Sequence, residues 1–175
     1  MNALNRFVVV SLLILIGVLP AAARKKATPK ANAPKTAAIE AATRLQVFLD
    51  RANFSPGKID GRYNEFTRKT LSLYRESRGE QPQPTPPQSG KHTNVAPDVS
   101  GLDLASVEPV FISYTVTEAD VQTVGQLPSH VPEQAKLKFL PYRDVADAIA
   151  EKFHSDIHFL EQLNPGKLKG LKAGD

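Results

Sequence analysis

The sequence predicts a mainly α-helical protein with minor β structure, built as two short modules. Three observations lead there. Apolar residues recur at helical spacing in residues 37–79 and again in residues 114–175. One stretch, Phe111 to Thr117, is rich in β-branched and aromatic residues and reads as a strand. Between the periodic regions, Pro82, Pro84, Pro86, Pro87 and Pro97 stand among polar residues, a composition that favours an extended linker. A chain of 175 residues with net charge +4 has room for one or two small cores and excludes a large multidomain assembly. The absence of cysteine excludes a disulfide scaffold, a thiolate zinc site and a cysteine nucleophile within these residues.

The N-terminus has the layout of a secretory signal peptide over residues 1–23. Arg6 supplies positive charge, an apolar run extends from Phe7 to Leu19, Pro20 breaks it, and Ala21-Ala22-Ala23 offers small residues at a cleavage site. As a helix the run would span roughly 20 Å, short of the roughly 30 Å hydrocarbon core. Cleavage is expected after Ala23, with export to the periplasm or cell envelope. Arg24-Lys25-Lys26 just beyond the site opposes translocation, so an uncleaved membrane anchor is the competing reading. Residues 24–36 hold Lys, Ala, Pro and Thr and read as a basic, solvated tether.

The first helical module is expected over residues 37–79. Ala38, Ala42, Leu45, Leu49 and Ala52 fall on one helical stripe, widened by Ala41 and Phe48. Pro56-Gly57 and Asp60-Gly61 mark two tight turns, with Ile59 between them as a core plug. A second helix is expected from Glu65 to Arg78. Its stripe is Thr67, Leu71 and Tyr74, with Phe66, Thr70 and Leu73 beside it, and Gly79 stops it. Residues 24 to 79 carry 13 basic and 5 acidic residues, so this half could face an anionic polymer or membrane surface. Export and the lack of an aromatic-interleaved basic stripe argue against nucleic acid.

These residues resemble the peptidoglycan-binding domain family. The resemblance is carried by Leu45-Gln46, Leu49, the loop Phe54-Ser55-Pro56-Gly57-Lys58-Ile59-Asp60-Gly61-Arg62-Tyr63, Thr67, Leu71 and Tyr74. Asn64 replaces the glycine expected after the loop aromatic, and Asn tolerates the same backbone region. The family's third helix is not evident, so the core is incomplete unless residues 101 to 110 supply the missing element. The resemblance implies glycan contact at Phe54, Ser55, Gly57, Asp60, Gly61, Arg62 and Tyr63. Asp60 also has the character of a turn residue bonding nearby backbone N–H groups, and Phe54 and Tyr63 that of core anchors.

Residues 80–110 are expected as the Pro-rich linker and 111–175 as the second module. After the strand, Asp144 is placed to cap a helix bearing Val145, Ala148, Ile149 and Phe153, with Asp147 favouring the positive end of the helix dipole. Ser155 is expected to cap a second short helix with Ile157, Phe159, Leu160 and Leu163, ended by Asn164-Pro165-Gly166. The order resembles the sugar-binding LysM module, a βααβ fold. It rests on Tyr114-Thr115-Val116, Asp144, Ile149-Ala150, Phe153, Leu160, Leu163-Asn164-Pro165 and Gly174. Two departures stand out: about two dozen residues separate strand from helix, and the last strand, expected after Gly174, is lacking. The resemblance implies glycan contact at Tyr142, Arg143, Asp144, Asn164 and Pro165. His154 and His158 are four apart, but Ser155 stands where a metalloprotease helix needs glutamate, so no metal is expected.

Signal, first module, Pro-rich spacer and LysM-like module together resemble the N-terminal region of exported L,D-transpeptidases, whose catalytic domain uses a cysteine nucleophile. With no cysteine here, that chemistry transfers to no residue. The expectation is a non-enzymatic, wall-binding chain. It would need no cofactor or metal, be a monomer, and hold peptidoglycan amino-sugar strands through two weak contacts joined in one chain. Nucleic acid is not expected as a partner, and membrane contact only through an uncleaved signal peptide. The alternative is an exported adaptor that binds a protein partner through its basic helix or Pro-rich linker.

Overall fold

The computed structural model describes residues 33–81 and 95–175. The expected signal peptide with its cleavage after Ala23, residues 24–32 of the basic tether, and Pro82, Pro84, Pro86 and Pro87 lie outside the described residues, whereas residues 33–36 of that tether open the first helix, Ala33–Arg51. Among the described residues six α-helices follow one another: α1 (Ala33–Arg51), α2 (Glu65–Ser77), α3 (Glu118–Gln122), α4 (Val131–Gln134), α5 (Val145–Lys152) and α6 (Ile157–Leu163). A 3₁₀ turn, Leu104–Ser106, lies between α2 and α3. The protein is thus mainly helical. Among the described residues β structure is limited to two isolated parallel bridges, Ile59 with Ser155 and Val124 with Tyr142.

Helix α1 buries Ala42, Leu45 and Leu49, the centre of the expected stripe, whereas Ala38 at its leading end stays exposed. Helix α2 starts at Asn64, whose side chain accepts from the backbone N–H of Thr67 at 2.8 Å and so satisfies one of the helix's orphan donors. It ends on Gly79, at φ +75°, where the N–H groups of Gly79 and Glu80 return to the carbonyls of Glu76 and Arg75. Phe66 and Leu73, expected beside the buried stripe, are instead largely exposed at 70% and 47%: the helix is flanked on one side only.

Leu45, Leu49 and Leu71 form the first core, with Phe48, Phe54, Tyr63 and Tyr74 around them. Its third wall comes from the stretch read as a spacer. Val99, Leu102 and Leu104 pack onto the same leucines, and Val107 is 1% exposed. Arginines fasten this wall through its backbone. Arg44 donates to the Val107 carbonyl at 2.9 Å, and buried Arg75 donates to the carbonyls of Asp98 and Ser100 at 3.1 and 3.0 Å. Arg75 also pairs with Glu80 at 2.5 Å, so one guanidinium holds the chain on both sides of residues 82–94. The helix missing from the sequence pattern is replaced by an irregular strap with one 3₁₀ turn.

The second core is Val116, Val145 and Ile149, joined by Tyr114, Val121, Val124, Phe153, Leu160 and Leu171. Asp144 caps α5 by accepting from the Asp147 N–H at 2.8 Å. Asp156, not the expected Ser155, caps α6, accepting from the N–H groups of His158 and Phe159 at 2.9 and 3.1 Å. The helix begins at Ile157, which puts Asp156 at the cap position, and Ser155 Oγ faces the Ile59 carbonyl at 3.4 Å. Residues 111–117 do not form the expected strand, since their pairing is confined to Val116. Its N–H donates to the Asp175 carbonyl and its own carbonyl accepts from Gly174 N–H, both at 2.9 Å. Two partner residues satisfy one residue's polar groups without making a ladder.

All described residues belong to one compact unit, Ala31–Asp175. The two cores are stitched through Ile59. Its N–H donates to the His154 carbonyl at 2.8 Å, and its carbonyl accepts from Asp156 N–H at 2.9 Å. Beside this seam His154 Nδ1 lies 2.9 Å from Asp50 Oδ2, and the ring of Phe159 lies against Gly61.

Candidate functional site

The loop between α1 and α2 is organised from within by Gln46, which is fully buried. Its Oε1 accepts from the N–H groups of Asp60 and Gly61 at 3.2 and 3.0 Å. Its Nε2 donates to Asp60 Oδ1 at 2.8 Å and to Thr67 Oγ1 at 3.1 Å. Asp60 in turn accepts from Arg62 N–H and from Asn64 Nδ2, each at 3.0 Å. Both carboxylate oxygens are therefore occupied in holding the turn, which gives Asp60 a structural role.

The other expected contact residues of this loop separate into two sets. Phe54 meets the Tyr74 ring edge-on at 5.4 Å, and Tyr63 packs on the same core, where burial pushes its phenol up. Gly61 is buried against Phe159. Ser55, Gly57 and Arg62 remain at the surface. In the second half, Tyr142 is half-buried in the bridge to Val124, and Asp144 is occupied as a helix cap. Arg143 is exposed and pairs with Asp144 and Asp147 at 3.6 and 3.5 Å. Asn164 ends α6, its Nδ2 donating to the Leu160 carbonyl at 3.1 Å, and Pro165 is exposed.

A groove of about 810 Å³ runs along the seam. Val47 of α1 and Ile59 form one side, and Phe153, Phe159, Leu160 and Leu163 of the α5–α6 region form the other. The segment Val110–Tyr114 and residues Leu168 and Leu171 complete it. Ser155, Asn164, Lys167 and Asp175 bring polar groups to a largely apolar wall. Of the twelve expected contact residues, Asn164 alone is among those that line the groove. Sequence patterns missed the rest because the lining is drawn from several segments far apart in the chain. The available signal was the surplus of large apolar residues in 110–114 and 163–171, beyond what any helical stripe uses.

Tyr114, a groove-lining residue, is fixed by a charged network. Asp120 is 5% exposed and accepts from Lys152 Nζ at 2.5 Å, Thr117 Oγ1 at 2.7 Å, Thr117 N–H at 2.8 Å and Tyr114 hydroxyl at 2.7 Å. The Lys152 bond, then the Thr117 and Tyr114 bonds, hold the Asp120 carboxyl far below the usual carboxylate range. The same pairing, led by Asp120, raises the Lys152 ammonium. The Lys152 Nζ also sits 4.9 Å from the Tyr114 ring centre, within cation–π range.

Such a groove suits retention of a ligand that offers both apolar faces and polar edges. Its lining holds a single acidic side chain, Asp175, and the lining hydroxyl that meets a carboxylate, that of Tyr114, is tied to Asp120 and Lys152. No group of three metal-ligating side chains occurs among the described residues. No protein-family model matches the chain, and no curated protein matches it.

Proposed function

We propose that the protein binds bacterial peptidoglycan without catalysis, holding amino-sugar strands in the seam groove. The carrying observation is the groove itself, where aromatic and aliphatic walls meet the Asn164 amide and the Lys167 ammonium. The axial C–H faces of pyranose rings suit such walls, and acetamide and hydroxyl groups suit such an edge. The volume falls in the range of ligand-binding clefts, roughly 300–1,000 Å³. The order Tyr114–Val116, α5, α6 and Gly174–Asp175, with Val116 paired to the last two, supports a LysM-like reading of this half. On this reading the chain is exported to the cell envelope and serves as the targeting part of an L,D-transpeptidase.

The groove also changes how binding is achieved. Its walls come from both halves, so a glycan meets one surface rather than two contacts linked by a flexible spacer. Co-sedimentation with insoluble peptidoglycan tests the reading. Saturable binding is expected, and it should survive high salt because it is not held by charge alone. Ile112 is 62% exposed on the groove, so Ile112→Glu should leave the fold intact. It should weaken binding about tenfold, the loss expected for one well-buried aliphatic contact. Full recovery of folded protein in the supernatant at low salt, or unchanged binding by Ile112→Glu, would reject the proposal.

A further inference from the structure

The chain between the Val124–Tyr142 bridge partners is an excursion with a peculiar surface. Its ends are held where Gly125 N–H donates to the Tyr142 carbonyl at 3.0 Å and Tyr142 N–H to the Thr123 carbonyl at 2.9 Å. Within it, α4 and the Gln134 Nε2 bond to the Pro128 carbonyl at 2.7 Å give the backbone a definite path. Yet no side chain from residue 125 to residue 141 is buried. Val131 is 72% exposed, Phe139 59%, Leu140 57% and Leu127 50%. Single exposed apolar residues are ordinary, but several large ones in a short ordered excursion mark an interaction surface.

The charges beside them identify the partner. Lys136 and Lys138 alternate with Leu137 and Phe139, and Glu133 is the single acidic residue from 125 to 141. Glu133 lies 3.8 Å from Lys136, and both are well exposed. Arg143 just beyond is shared with Asp144 and Asp147, and the exposed Glu133 pair is weak, so two lysines against one glutamate leave the stretch with a small positive charge. We propose that this excursion docks on an anionic lipid bilayer, with Phe139 and Leu140 entering the headgroup boundary and Lys136 and Lys138 meeting lipid phosphates. A bilayer accepts protruding apolar side chains without the matching cavity that a protein partner would need. Anionic headgroups attract each nearby lysine.

The chain has no tryptophan, so Phe139→Trp places a single emission probe at the contact. The full chain is mixed with vesicles of phosphatidylglycerol and phosphatidylcholine at about a 3:7 ratio, and with phosphatidylcholine alone. On the anionic vesicles, a blue shift and quenching by brominated acyl chains are expected. Adding Lys136→Glu and Lys138→Glu should raise the lipid concentration for half-saturation at least about tenfold, since each lysine near the surface contributes appreciably. Leu73→Trp, 47% exposed on α2, serves as the control for attachment through another region. Quenching at position 73 equal to that at 139 would overturn the proposal. So would unshifted emission from the Phe139→Trp variant on vesicles that nevertheless bind the chain. An emission change at 139 caused by envelope proteins but not by vesicles would also refute it, assigning the surface to a protein.

Discussion

Gly61 offers the most direct test of how the two cores are joined. Its φ is +67°, and a Cβ there would stand 2.7 and 2.8 Å from Cε2 and Cζ of the Phe159 ring and 3.1 Å from Ile39 Cγ2. The backbone has little room to yield, because Gly61 N–H donates to buried Gln46. Gly61→Ala therefore combines a left-handed alanine, at roughly 1–2 kcal/mol, with overpacking of roughly 1–3 kcal/mol. Gly57 provides the reference: its φ is +80°, but nothing lies within 4 Å of an added Cβ. Gly57→Ala should cost the backbone part only, and the loss of chain freedom in the unfolded state is common to both variants. Urea unfolding should thus place Gly61→Ala below Gly57→Ala by about 1–3 kcal/mol. Phe159→Leu should recover part of that gap when combined with Gly61→Ala, giving a coupling energy in a double-mutant cycle. Stabilities for the two glycine variants within about 0.5 kcal/mol of each other, below the size of a real steric overlap, would refute the packing argument.

Two further outcomes follow from the polar networks. Asp120→Asn should lower stability at pH 7 by about 1–3 kcal/mol, since it weakens the charge-assisted bond to Lys152. Because the folded Asp120 carboxyl lies below its unfolded value, its contribution is present above the unfolded pKa and fades as pH falls below about 4. The gap between wild type and Asp120→Asn should therefore narrow in urea titrations at pH 3, and a gap of constant size would contradict the linkage. Gln46→Leu keeps the side chain's bulk but strands the N–H groups of Asp60 and Gly61. A loss of about 2–4 kcal/mol is expected by denaturant unfolding, and a neutral result would show that the turn does not depend on this amide.

The elements legible in the sequence were those whose signals are local. The stripe through Leu45 and Leu49, the turns at Gly57 and Gly61 and the Asp144 cap all depend on residues a few positions apart. The strap from Val99 to Val107 was legible only as the condition that residues 101 to 110 complete the first core, because its burial is set by long-range contacts with α1 and α2, while Pro97 and the lack of periodicity resemble a spacer. Phe111–Thr117 has the composition of a strand, but β composition cannot supply a partner, and pairing reaches only Val116. Ser155 and Asp156 are both good caps. The helix start at Ile157 places Asp156, not Ser155, at the cap. Most of the groove was invisible because its walls meet only after the halves have packed.

The stitch at Ile59 bears on how such a chain can change over time. Two periodic regions joined by a Pro-rich stretch suggest cassettes that recombination can move from one gene to another. Here a breakpoint between the halves would strip Ile59 of both backbone partners and uncover Phe159, which is 5% exposed. Either half transplanted alone would carry a raw apolar face and two unmet peptide groups, so inheritance should favour the pair travelling together.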